Sequence, residues 1–226
     1  MAHRGNRGES VSEIAVYVEG GGNTAGQKAE LRQGFDKLFD RPREKARKIG
    51  GSLRFICCGG RQQAYEAFMN AAAVNPQTVN ALLVDSESAT DPVPEDPAQD
   101  AALRMNHLRN RDGWRLTGIP AERIHLMVQC MEAWIVADPE ALEMFYKQSF
   151  RKSRLPGRVN LEEEPKSDIY AKLEAATKGT QKGAYAKIGH AGKLLLLIDA
   201  DKVAQRCSRF GIFREWLTES IDGQVV

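Results

Sequence analysis

The amino-acid sequence predicts an α/β domain whose parallel sheet is flanked by helices. Two observations carry this reading. Short apolar or β-branched runs end in glycine or an acidic residue, and each gives way to a stretch with apolar side chains at helical spacing. These runs are apolar throughout rather than alternating, as expected of parallel strands covered on both faces. A third observation concerns function. Two of the runs end in a carboxylate, at the strand ends where open α/β sheets bind ligands.

The first strand is expected over residues 14–19, IAVYVE, and is followed by GGGN from Gly20 to Asn23. Leu31, Phe35, Leu38 and Phe39 then fall at helical spacing, Pro42 is expected to break that helix, and a basic second helix runs to Ile49 before Gly50 and Gly51. A second strand at 53–58 meets Gly59 and Gly60, and a helix over 61–74 buries Ala64, Phe68 and Ala72. Pro76 separates it from a third strand at 81–84, which ends at Asp85. Residues 86–97 are acidic and proline-bearing and read as a loop. A helix near 100–109, a fourth strand at 125–128 and helices at 131–137 and from Pro139 follow. Residues 151–165 form an exposed connection, and the remainder is helical over 169–177, 191–198 and 202–220. The expected organisation is a core over 12–150 with a connection and helical C-terminal portion over 151–226, packed together as one domain.

Composition narrows the class. Of 226 residues, 42% are hydrophobic and 27% charged, an ordinary globular composition that argues against disorder in the body of the chain. The net charge of +2 conceals basic blocks around Arg41–Lys48 and Lys147–Arg158 and an acidic stretch from Asp85 to Asp100. Such blocks are either solvated helix faces or phosphate-binding surfaces beside a metal centre. The four cysteines, Cys57, Cys58, Cys130 and Cys207, include no CxxC pair and read as reduced core thiols. The polar start MAHRGNRGES reads as frayed and shows no signal peptide, and no apolar run is long enough to span a membrane, so a cytoplasmic location is expected. The sequence contains no Walker motif, no GxSxG and no Cys–His arrangement that suggests a covalent nucleophile.

The carboxylates carry the chemistry. In LLVDSE, Asp85 and Glu87 leave a buried strand at i, i+2 spacing, and on an extended chain they point the same way. Like charges brought together need a compensating cation, and magnesium takes one or two carboxylates while keeping several waters. Alone, a D-x-E after a strand is equally a solvated loop. Glu19 strengthens the metal reading because it ends the first strand and is followed by bare backbone at Gly20–Gly22. Glu132 lies in the nearly apolar run IHLMVQCMEAWIVA, so it either serves the metal or forms an ion pair that orients its helix. Asp138 before Pro139 reads as a helix cap. Arg61, after Gly59 and Gly60, is either a phosphate contact or an exposed arginine at a helix start. Lys182, Tyr185, Lys187 and His190 form a glycine-punctuated cluster. Lys187 is open between phosphate neutralisation and an ordinary loop position, whereas His190 reads as capping or packing. His107 and Trp114 read as packing or surface residues.

Together, EGGGN after the first strand, VDSE after a later one, HLMVQCMEAWIVAD, GGR at 59–61 and KGAYAKIGH at 182–190 resemble the bacterial family catalogued as DUF4276. That family is similar to Toprim-fold proteins of the RloB group, and the resemblance runs from about Val16 to Leu217. It implies a Toprim-like sheet in which a glutamate and an acidic D-x-D motif hold magnesium for phosphodiester chemistry. Residue by residue, Glu19 corresponds to the first glutamate, Asp85 to the first aspartate and Glu132 to a later glutamate. Glu87 stands where an aspartate is usual and adds one methylene.

The expected function is thus a metal-dependent nuclease effector of an anti-phage module. Its catalytic set comprises Glu19, Asp85, Glu87, Glu132 and Lys187. The first four serve as ligands to Mg2+ (or Mn2+), in a pair of ions roughly 4 Å apart. The resemblance implies an ABC-type ATPase partner; the substrate would be DNA or RNA. The alternative is a non-catalytic Toprim-fold adaptor that binds the ATPase. A small-molecule phosphohydrolase would need a closed pocket.

Overall fold

A computed structural model describes residues 13–75 and 77–223. The polar start and Pro76 lie outside the described residues. The chain runs β1 (Glu13–Glu19), α1 (Ala25–Leu38), α2 (Asp40–Lys48), β2 (Ser52–Gly59), α3 (Arg61–Val74), β3 (Val79–Asp85), α4 (Pro97–Asp112) and β4 (Ile124–Met127). Six helices follow: α5 (Glu132–Val136), α6 (Pro139–Tyr146), α7 (Lys166–Thr177), α8 (Lys187–Leu195), α9 (Ala200–Arg206) and α10 (Ser208–Ile221). The four strands form one sheet in the order β2-β1-β3-β4, and every neighbouring pair is parallel. The fold is therefore the expected α/β arrangement with a helical C-terminal region.

Alternation along the strands sorts the core into two layers. Val16 and Val18 of β1 and Ala81 and Leu83 of β3 face a large cluster built from α1, α2 and the C-terminal helices. Leu82 and Val84 of β3 and Leu126 of β4 face a smaller cluster with Phe68 of α3 and Leu108 of α4. In the larger layer Phe39 packs against Phe55, Phe210 and Phe213, each with ring centroids 5.2 Å away. These fully buried aromatics bind the C-terminal helices to the sheet through hydrophobic burial and ring contacts. Close backbone approach joins α1 to α8: a Cβ on Gly34 would stand 2.7 Å from the carbonyl oxygen of Gly192, so glycine is required there.

Several elements differ from the sequence reading. β3 is buried along its whole length, but β2 alternates, with Arg54 exposed, because it is an edge strand. The bend between α1 and α2 falls at Phe39, not at Pro42. Pro42 is the third residue of α2, where the missing N–H would have had no helical partner. The last helical stretch is two helices that change direction at Cys207. Ahead of that break, the Arg206 guanidinium is held by the carbonyls of Val136, Pro156 and Arg158. α8 is helical in backbone only beyond Gly189, since Ile188 and Gly189 are non-helical. Asp138 does cap α6, accepting from the Ala141 N–H at 3.3 Å. All four cysteines are free, and three of them are buried. Among the described residues no helix is long and apolar enough to cross a membrane.

Candidate metal centre

The carboxyl end of β1 sets the first residue. A register shift between Val18 and Glu19 displaces the strand end, and Gly20 and Gly59 then exchange reciprocal N–H···O bonds of 2.8 Å. A Cβ on Gly59 would lie 2.8 Å from the Gly22 carbonyl oxygen, and its φ of +92° is one that glycine adopts freely. This turn leaves Glu19 beside β3. Its Oε2 accepts from the Asp85 N–H at 3.3 Å and from Arg61 Nη1 at 3.0 Å.

Asp85 ends β3 and is 1% exposed. Its Oδ1 accepts the Met131 N–H at 2.9 Å, at the start of the turn into α5. Its Oδ2 faces Lys166 Nζ and Lys187 Nζ, each at 3.5 Å. Burial pushes its carboxyl up to about 6, with Lys187 opposing and Glu132 and Glu19 adding to the rise.

Glu87 reaches the site by a route other than the i, i+2 extension. The strand ends at Asp85, and Glu87 sits in the left-handed region with φ 67°. The backbone is fixed there by Ser86 N–H to Met127 O and Glu87 N–H to Gln129 O, both 2.9 Å. Strict alternation would put Glu19 with Tyr17 on the α3 side and Asp85 with Leu83 on the other. The side chains instead meet over the sheet's carboxyl edge, where Glu19, Asp85 and Glu87 bring ligand oxygens within 4.8 Å of one another.

Glu132 and Lys187 join the same cluster. Glu132 is fully buried, and its Oε1 accepts from the Tyr185 hydroxyl at 3.0 Å. Lys187 Nζ lies 3.7 Å from that oxygen and so bridges Glu132 to Asp85. Glu132 Oε2 is buried with no hydrogen-bond partner among the described residues. Burial lowers the affinity of Lys187 for its proton, but Asp85 and Glu132 outweigh it and hold the ammonium above its ordinary range.

One basic residue of the site, Lys166, was not singled out in the sequence, and a second, Arg61, has a role other than those expected of it. Lys166, the first residue of α7, donates to Glu87 Oε1 at 2.7 Å. Burial raises the Glu87 carboxyl, yet the Lys166 bond and charge, with Arg111 and Arg61, bring it below its usual value. Arg61 is neither an exposed helix-start residue nor a free phosphate contact. It is clamped by Asp112 through bonds of 2.9 and 2.7 Å, binds the Asp85 carbonyl and lies 5.0 Å from the centroid of the Trp114 ring. Its task is to orient Glu19 and the end of β3. Of the remaining candidates, Lys182 sits over the Phe145 ring, and His190 Nδ1 meets the Tyr146 hydroxyl at 2.9 Å and the Ala186 N–H at 3.2 Å, which is packing and capping. Trp114 Nε1 donates to Gln62, and His107 Nε2 lies 2.8 Å from the Ser86 carbonyl oxygen. The basic block on α2 is partly consumed by ion pairs of Arg41 with Asp201 and Lys45 with Asp222.

The donor set suits a hard divalent cation, which prefers carboxylate oxygens and retained water. Three carboxylates converge; the oxygens of Glu132 are not among those that meet within 4.8 Å, and Glu132 is joined to Asp85 through Lys187, with its Oε2 unpartnered among the described residues. Beside them opens a cavity of about 310 Å³, lined by Gly20, Gly21, Gly22, Gly59, Met131 and Lys187. Glycines form part of its wall, and Glu19, Gln27, Glu30, Leu31 and Ile188 add side chains to it.

Neither a curated protein nor a solved structure matches the chain. A family model does, over residues 18–218, a span from the end of β1 to within α10 that includes every residue of the centre. The chain belongs to the family described as Domain of unknown function (DUF4276).

Proposed function

We propose that this protein is a divalent-metal-dependent phosphodiesterase acting on nucleic acid, the nuclease effector of an anti-phage module governed by an ABC-type ATPase. The observation that carries the chemical part is the convergence of Glu19, Asp85 and Glu87, with a buried, half-partnered Glu132 behind them. The defence setting and the ATPase rest on the resemblance to Toprim-like proteins. Glu19, Asp85 and Glu87 would hold Mg2+ or Mn2+, with Glu132 adding a ligand or accepting from bound water. When bound, the metal supplies an activated water and stabilises charge on phosphoryl oxygens.

The chain's own residues prepare the site for that load. Arg61 and Asp112 fix the Glu19 carboxylate, and the Met131 N–H fixes one oxygen of Asp85. Lys166 and Lys187 hold the cluster together by offsetting its negative charge. Lys187, which also lines the cavity beside Glu19, would bind a substrate phosphate.

The test is incubation of the protein with end-labelled DNA and with total RNA, with and without Mg2+, beside Glu19→Gln. Cleavage that needs the metal and disappears in the variant is the expected outcome. Equal cleavage by wild type and variant, or none on any substrate with metal present, contradicts the enzymatic reading. One observation favours a second reading, a non-catalytic adaptor of the same fold. Each of the three carboxylates already contacts a protein cation: Arg61, Lys166 or Lys187. An adaptor of that kind would bind no Mn2+ at the centre.

A further inference from the structure

A second cavity of about 310 Å³ lies on the other side of the segment that follows β3, bounded by Thr90, Asp91, Arg104, His107, Arg111 and Arg209. Its chemistry is opposite to that of the carboxylate centre. Arg104 and Arg209 are both 4% exposed, and buried guanidinium groups are costly unless their charge is matched. Asp100 is the carboxylate that touches them, meeting Arg104 Nε at 2.8 Å and Arg209 Nη2 at 2.9 Å. The two guanidinium groups thus share one carboxylate as a direct partner; a second buried carboxylate, Glu162, accepts the Arg209 backbone N–H at 2.7 Å, and burial pushes it up to about 7. The remaining guanidinium bonds go to neutral groups. Arg104 Nη1 reaches the Ile124 carbonyl and His125 Nδ1, while Arg209 reaches Thr90 Oγ1 at 2.6 Å and the Asp91 carbonyl at 3.1 Å. Arg209 Nε is buried without a partner among the described residues. His125 offers no compensation: burial and then Arg104 hold its ring neutral, well below its ordinary value. The exposed residues Asn106 and Asn110 of α4 supply amides at the rim.

We propose that this cavity is an anion site for a phosphoryl group, whose oxygens would face Arg104, Arg111 and Arg209 across it. Guanidinium forks match phosphate oxygens in geometry, and rim amides add neutral donors. The cavity is at the small end of ligand sites, suited to one phosphate with its sugar rather than to a large cofactor. Its walls adjoin the carboxylate centre: His107 touches the Ser86 carbonyl, and Arg111 stands 3.9 Å from Glu87. The phosphate is either part of a nucleic-acid backbone or carried by a free nucleotide or inorganic phosphate.

The experiment measures thermal unfolding of the full chain in EDTA at constant ionic strength. Chloride is replaced stepwise by inorganic phosphate, by AMP or by a short single-stranded oligonucleotide. A saturable rise in Tm is expected, since a ligand of the native state stabilises it by mass action. Asn106→Phe, at an exposed rim position, should keep the wild-type Tm in chloride and weaken the phosphate response by at least about tenfold in affinity. Asn110→Asp should weaken it through repulsion. Glu19→Gln should leave it unchanged, which separates this cavity from the carboxylate centre. A response to all three ligands assigns the site to free phosphate compounds, and a response to the oligonucleotide alone assigns it to a backbone phosphate. No saturable rise with any of them, or a rise that Asn106→Phe leaves intact, overturns the proposal.

Discussion

Lys166 Nζ donates to Glu87 Oε1 at 2.7 Å and lies 3.5 Å from Asp85 Oδ2, so one ammonium spans two of the three converging carboxylates. It occupies the position that a cation would contest. Lys166→Met should therefore strengthen Mn2+ binding by at least about tenfold, because the cluster gains one uncompensated negative charge and loses its competitor. The metal-free variant should be less stable by about 1–3 kcal/mol, the cost of leaving a partly buried charge without its partner. Calorimetric titration and thermal melts check both. An unchanged Mn2+ affinity would show that no cation enters beside Glu87.

Tyr185 supplies the hydroxyl that Glu132 Oε1 accepts at 3.0 Å, while the other oxygen has no partner among the described residues. Tyr185→Phe should destabilise the metal-free protein by about 1–3 kcal/mol, since a buried carboxylate loses a donor. Chemical denaturation is the measurement. A loss below about 0.5 kcal/mol would mean that the hydroxyl contributes nothing net to holding Glu132.

Asp85 sets the pH dependence. Its carboxyl is raised from 3.8 to about 6 by burial, so the folded metal-free protein holds a proton that the unfolded chain has already released. Stability from this group is fully present below about 4 and is lost as pH rises through about 6. Asp85→Asn removes the titration. The difference in Tm between variant and wild type should therefore move in the variant's favour from pH 4 to pH 7 in EDTA. Saturating Mn2+ should reverse the order at pH 7, because wild type alone is stabilised. A difference that is flat with pH would contradict the raised carboxyl.

Much of this arrangement was legible in the sequence, for identifiable reasons. β3 reads as a strand because ALLV at 81–84 is apolar on both faces, and its end at Asp85 follows from where the apolar run stops. Glu19 was legible through the glycines behind it, and Glu132 through its apolar surroundings. The route of Glu87 was not: a left-handed φ after the strand depends on the Met127 and Gln129 carbonyls, which come from the end of β4 and the residues just after it. The part played by Arg61 depends on Asp112, at the far end of α4, and local sequence cannot pair them. Lys166 did leave a faint signal. A lysine as the first residue of a helix opposes the helix dipole, which hints that an acidic partner holds it there. The break at Cys207 left none, since no glycine or proline marks it.

The most direct test of the central claim is Mn2+ binding to the protein, followed by electron paramagnetic resonance as the free-ion signal is lost on titration. Wild type should bind Mn2+ saturably and release it to excess Mg2+, and Asp85→Ala should fold but bind at least about a hundredfold more weakly. Equal Mn2+ binding by wild type and a folded Asp85→Ala, or no saturable binding by either, would contradict the assignment of Glu19, Asp85 and Glu87 as a metal centre.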